Sequence, residues 1–176
     1  MKKLIDNFIK DVKLELDDEF DMNFERKSFF NEPWKDTKHT NPRGSLMMRT
    51  GMLRKSISSK ISGDSIRYSS SVPYASIHNE GGTITVTRQM KKFFWAMYYK
   101  TGGAVSGSGS QRDRVMSAEQ KKWKAMALMP VGKQMKIEQR QFIGDHAMVR
   151  KSIEDVFRQD TIPEMKKYFE TKFKQK

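Results

Sequence analysis

Cysteine is absent from this chain, which removes disulfide frameworks, thiolate nucleophiles and cysteine-ligated zinc together. Long apolar runs are absent as well. The longest, Phe93–Tyr99, falls far short of the ~20 residues a membrane helix needs. No extended apolar core with a small-residue cleavage site stands at the N-terminus, so no signal peptide is read and a soluble intracellular protein is expected. Histidine is scarce: His39, His78 and His146 are far apart and show no metal-ligand spacing. Phosphate-cradling loops are missing too. Gly132-Lys133 has neither the upstream glycine nor the following Ser/Thr of a P-loop, and no G-x-G-x-x-G occurs. The Gly/Ser run at 102–110 contains no G-x-S-x-G.

Acidic residues are outnumbered, 21 against 34 Lys and Arg, which leaves a net charge of +13. The imbalance is uneven. Residues 1–25 hold four lysines and eight acidic residues, a net of −4, and the remainder carries +17. An excess of this size points to an anionic partner, either nucleic acid or an acidic protein surface. Hydrophobic residues make up 36% of the 176. That is enough for one domain of ordinary size, roughly 100–150 residues being typical, but the core is lean. Some apolar surface is expected to find its partner on another chain.

What is present orders itself along the chain. Leu4, Ile5, Phe8, Ile9, Val12, Leu16 and Phe20 recur at spacings of three and four and predict an amphipathic helix over about 2–20. Asp11, Glu15 and Asp18 share its polar face. They are the only carboxylates grouped for metal or acid–base work, and a solvated acidic face is the preferred reading of them. Residues 23–45 read as irregular, pinned by Phe24, Phe29, Phe30 and Trp34. Alternation on either side of Gly63-Asp64 predicts a hairpin that pairs Ile61 with Ile66 and Ser59 with Tyr68, and sets Lys60 against Arg67.

Pro73 ends that strand, and a short helix carrying Tyr74, Ile77 and His78 stops at Gly81-Gly82. Thr83–Thr87 predicts a strand with Ile84 and Val86 inward, followed by an aromatic helix over 89–99. Residues 101–111 are flexible by composition. Ser117 with Gln120 caps a helix bearing Trp123, Met126 and Ala127. Met135–Glu138 predicts a fourth strand. Val149, Ile153, Val156 and Phe157 stripe a helix that starts at Asp145, and Thr161 with Glu164 caps the last one. The class is α+β: an N-terminal amphipathic helix, a small, mostly antiparallel sheet of about four strands, and helices centrally and at the C-terminus.

Basic residues mixed with rings occur at Lys91-Lys92-Phe93-Phe94-Trp95 and at Lys121-Lys122-Trp123-Lys124. Rings can stack on bases while lysines neutralise phosphates. The preferred reading is that Phe94, Trp95, Tyr98 and Trp123 are the buried faces of two amphipathic helices. Lys60, Arg67, Lys91, Lys92, Lys121, Lys122 and Lys124 are the candidate contacts to an anionic partner.

Three stretches together resemble the phage virion morphogenesis family of tail-completion proteins. Arg43-Gly44-Ser45-Leu46 and Thr50-Gly51-Met52-Leu53-Arg54-Lys55-Ser56-Ile57 are similar to its R-G-x-L and T-G-x-L-x-x-S-I. Tyr74-Ala75-Ser76-Ile77-His78-Asn79-Glu80-Gly81-Gly82 is similar to Y-A-x-I-H-N-x-G-G, and Arg140-Gln141-Phe142-Ile143-Gly144 to R-x-F-I-G. The resemblance covers about residues 1–158 and makes the chain a single tail-completion-like domain. Residues 88–134 are longer and more basic than the pattern needs and form a partly flexible insert. The resemblance implies a structural protein of a tailed phage or prophage and not an enzyme, without cofactor or metal. It would complete the tail and join it to the head as a ring-shaped homo-oligomer. Its partners would be other tail and connector proteins and its own copies, with nucleic acid second and no membrane. Its place would be the virion, and the host bacterial cytoplasm during assembly. The motif residues would then have structural roles.

Overall fold

The structure, a computed structural model, describes residues 2–36, 46–101 and 118–174. Two compact units are present: Met1–Gly81 with Glu138–Lys176, and Gly82–Ile137. The architecture is α+β, with a long N-terminal helix, antiparallel strand pairs, and helices in the middle and at the C-terminus. Gly44, His39, Ser117 and the composition-flexible stretch 102–111 lie outside the described residues.

In the first unit, α1 (Lys2–Arg26) buries Ile9, Val12, Leu16, Phe20, Asn23 and Phe24. The apolar periodicity continues through Phe24, so the helix outlasts the span its first seven apolar residues predict. Past it, β1 (Ser28–Phe29) and β2 (Glu32–Pro33) pair antiparallel across a tight turn. The segment read as irregular is therefore helix and hairpin up to Pro33, and its four rings are all buried. A short α2 (Met52–Lys55) leads into β3 (Ile57–Ser62), which pairs with β4 (Ser65–Ser70). Their register sets Ser59 opposite Tyr68, Lys60 opposite Arg67 and Ile61 opposite Ile66, as the turn residues require. After α3 (Ala75–Glu80) the chain leaves the unit, and it returns at Glu138. Val12, Leu16, Phe20, Phe29, Phe30 and Val156 form one core cluster, with Ile66 and Tyr68 packed against it.

In the second unit, β5 (Gly82–Thr85) pairs antiparallel with β6 (Gln134–Ile137). Between them run α4 (Arg88–Lys100) and α5 (Ala118–Leu128). Thr87 caps α4 by accepting from the Met90 N–H at 3.2 Å. Phe94, Trp123 and Ala127 make its core, with Met90, Met97, Met126 and Met135 packed on them. Val86 is fully buried.

Two expectations need correction. The strands form three separate two-stranded ladders and not one sheet of four. β5 and β6 belong to a different unit from β3 and β4, and the inward residue Met135 of β6 packs on the core that α4 and α5 supply. An apolar face covered by helices needs no further strand. Secondly, Thr161 starts no helix. α6 (Ala147–Val156), a π-helical turn (Phe157–Thr161) and α7 (Ile162–Lys174) run on without a break. Pro163 has no N–H for the Gln159 carbonyl, and its ring would press on that oxygen. Widening the turn just before it, so that the Ile162 N–H reaches the Phe157 carbonyl five residues back, relieves both problems. The cap of α6 is His146, whose Nδ1 accepts from the Met148 N–H at 3.1 Å, and not Asp145.

Candidate functional site: the junction of the three motifs

Residues 140–143 belong to no helix or strand, yet Arg140 and Phe142 are buried. Buried backbone outside a ladder still needs hydrogen-bond partners. Here distant residues provide them. The Asn79 Oδ1 accepts from the N–H groups of Phe142 (2.9 Å) and Ile143 (3.1 Å). The Arg140 N–H donates to the His78 carbonyl at 2.8 Å. Trp34 Nε1 donates to the Gln141 carbonyl at 2.7 Å, and Asn23 Nδ2 to the Phe142 carbonyl at 3.2 Å. One buried segment is thus stitched to α1, to the residues after β2, and to α3.

The side chains close the same junction. Arg140 donates from Nε and Nη2 to the Lys35 carbonyl at 3.2 and 3.0 Å. Its charge is spent on a backbone oxygen. Phe142 packs with Phe24, Trp34, Leu53 and Ala75, and the Phe24 and Phe142 ring centroids are 5.1 Å apart. Leu46 and Ile57 are packed on this cluster. Ser56 Oγ donates to the Leu53 carbonyl at 2.7 Å and lies 2.7 Å from Ser70 Oγ. Gly81 adopts φ 73° and ψ −172°, open essentially only to glycine. A Cβ there would meet Gln139 Cβ and N at 3.0 Å.

The remaining motif positions have smaller parts. Gly51, at φ 69°, starts α2, and the exposed Thr50 accepts weakly from the Met52 N–H at 3.4 Å. Tyr74 is exposed and lies edge-on to His78, with centroids 5.9 Å apart. Gly82 opens β5 opposite Ile137, and Gly144 turns the chain towards α6 at φ 152°. His78 is half-buried, and its Nδ1 has no hydrogen-bond partner among the described residues. Burial first, and the Arg140 guanidinium second, push its imidazole below the ordinary value.

Asn23 is the residue that sequence reasoning passed over. Fully buried, it also accepts from the Phe30 N–H at 2.9 Å. Phe30 has φ 52°, a strained conformation for a bulky residue. Asn23 holds it there, and its ring stacks on His146 at 4.9 Å and 10°. A polar residue on the apolar stripe of α1 was the available signal.

The acidic side of α1 divides in two. Asp17 accepts from Lys13 Nζ (2.6 Å) and Ser59 Oγ (2.8 Å), and Glu19 pairs with Arg26 at 2.8 Å. Asp21 and Glu25 both hold Arg54. Burial would raise the Asp17 carboxyl. Lys13, Ser59 and the Tyr68 hydroxyl together outweigh that and hold it low. Asp11, Glu15 and Asp18, the candidate carboxylates, are exposed. No group of three or more His, Asp or Glu suited to a metal occurs among the described residues. The candidate cations also separate. Lys60 and Arg67 are exposed on the β3–β4 hairpin of the first unit, whereas Lys91, Lys92, Lys121, Lys122 and Lys124 lie on α4 and α5 of the second.

The sequence pattern of the phage virion morphogenesis family matches residues 28–161, which contain all three motifs. No curated protein and no solved structure matches the chain.

Proposed function

The chain belongs to the phage virion morphogenesis family, and from that premise we propose that it completes the tail of a phage and joins it to the head. It does so as a structural component that binds and does not catalyse. In this reading it forms a ring of identical copies, with tail and connector proteins as its neighbours and the virion as its final place. Its 176 residues act as one tail-completion-like domain with a basic insert at about 88–134.

One observation carries the reading. The motif residues that resemblance singles out are spent on holding the chain together: Asn79, Arg140, Phe142, Leu53 and Ser56 bond to backbone or fill a core. None is arranged as nucleophile, base and oxyanion hole. A rigid junction of this kind suits a part whose task is to present fixed surfaces. The described helices include none long and apolar enough to cross a membrane.

Size-exclusion chromatography with light scattering, followed by negative-stain imaging, tests the ring. Closed rings of uniform diameter are expected, alone or with purified tail ends. A chain that stays monomeric and binds neither tails nor heads overturns the reading. In a phage unable to make this protein, separate heads and unfinished tails should accumulate; intact virions would remove the joining role.

A further inference from the structure

The unit at 82–137 carries a charge that nothing inside it balances. It holds eleven Lys and Arg but only two carboxylates, Asp113 and Glu119, and so accounts for +9 of the chain's +13. None of its described cations forms an ion pair; every ion pair among the described residues lies in the other unit. There, Asp17, Glu19, Asp21 and Glu25 each have a cationic partner. Uncompensated like charge destabilises a compact unit through self-repulsion and creates a field that attracts polyanions.

Helix α4 gives this field a shape. Phe94 faces the core and Trp95 packs against it, whereas Arg88, Lys92 and Tyr99 are exposed. These three recur at intervals of four and seven residues, one exposed stripe along the helix. Trp95 and Tyr99 stack with centroids 5.9 Å apart and 26° between planes. Tyr99 is 56% exposed and Phe93 55%. Within the unit Phe93 meets Trp123 and Tyr99 stacks on Trp95, yet more than half of each residue stays exposed among cations. Lys121 and Lys124 on α5 are exposed as well.

We propose that the outer face of α4, together with the exposed lysines of α5, binds the phosphodiester backbone of nucleic acid. The cations neutralise phosphates, and the ring faces of Tyr99 and Phe93 offer stacking surfaces to unpaired bases. An acidic protein would satisfy the charge and could bury the rings, whereas only nucleic acid offers phosphates and stackable bases at once. The hairpin cations Lys60 and Arg67 belong to the first unit. The proposal concerns the second unit alone and does not rest on the ring.

The test uses the full chain with a labelled duplex and a labelled single strand of equal length, and polyglutamate as the acidic-protein surrogate. Saturable, salt-dependent binding of at least one nucleic acid is expected, tighter than that of polyglutamate. The variant R88Q/K92Q/K100Q, which removes the three exposed cations of α4, should weaken it about tenfold or more at ~50 mM salt and flatten the slope of log K against log salt by about two to three. The variant K60Q/R67Q should bind like the unaltered chain. If circular dichroism finds the triple variant unfolded, the exposed Tyr99→Ala decides instead, and it should lower single-strand affinity more than duplex affinity. The proposal is overturned by any of three results. One is no saturable binding of either strand form at low salt, and another is equal affinity for polyglutamate. The third is loss of binding in K60Q/R67Q while the α4 variants bind normally.

Discussion

Asn79 and Asn23 do at single positions what a strand does along its length. Each uses a side-chain amide to satisfy backbone groups that would otherwise be buried without partners. Phe142 sits where these bonds converge, only 3% exposed. Phe142→Ala should cost about 3–5 kcal/mol, since both the ring and its contacts with Phe24 are lost. A thermal midpoint unchanged within error would refute the burial. His78 yields a second prediction at this scale. Its folded pKa lies below the ordinary 6.5 because of burial and then Arg140. The unfolded chain therefore takes up the proton first as pH falls, so the contribution is complete above about pH 6.5 and declines below it. Urea midpoints at about pH 7.5 and about pH 5 should differ more for the unaltered chain than for His78→Gln. Equal differences would mean that the imidazole titrates as it does in water.

The β3–β4 hairpin is the element whose register local chemistry sets most firmly. Gly63, at φ 65°, supplies the turn, and alternation on both arms allows one pairing. The cost of that register is the opposition of Lys60 and Arg67, both exposed. Lys60→Glu converts a like-charge pair into an attractive one and should stabilise the fold by about 0.2–1 kcal/mol. A midpoint that stays put or falls would show that another group governs this face. At the other end of the chain, α6, the π turn and α7 illustrate how a local signal is overruled. Thr161 and Glu164 have the spacing of a capping box, but Thr161 is buried inside a continuous helix. The proline that suggests an ending is absorbed by the wider turn.

For the whole molecule, the distribution of charge matters more than its sum. The first unit pairs about half of the α1 carboxylates internally, while Asp11, Glu15 and Asp18 point outward with no ion pair among the described residues. In a ring of identical copies each subunit presents one surface to the next, and that contact closes only at the correct rotation. An acidic helix face meeting a cationic face of the next copy would set orientation, with apolar burial providing most of the affinity. Asp11→Lys, Glu15→Lys and Asp18→Lys together leave every observed ion pair intact. The triple variant should fold with an unchanged thermal midpoint and assemble poorly. Normal assembly would remove α1 from the subunit contact, and so would unfolding.

What the amino-acid order determined by itself is local. The apolar stripe of α1 and the hairpin register each depend on residues a few positions apart, and each follows from helical or strand periodicity. The three motifs were legible as well, but only as a pattern. Their meaning depended on closure over distance: Asn23 meets Phe142, Trp34 meets Gln141, and Asn79 meets Phe142 and Ile143. No periodicity relates positions so far apart, because such bonds form only once packing has already brought the segments together. The assignment of Lys60 and Arg67 to one unit and of the α4 and α5 cations to the other has the same origin. Composition counts charges, and only the tertiary structure decides which of them belong to one unit.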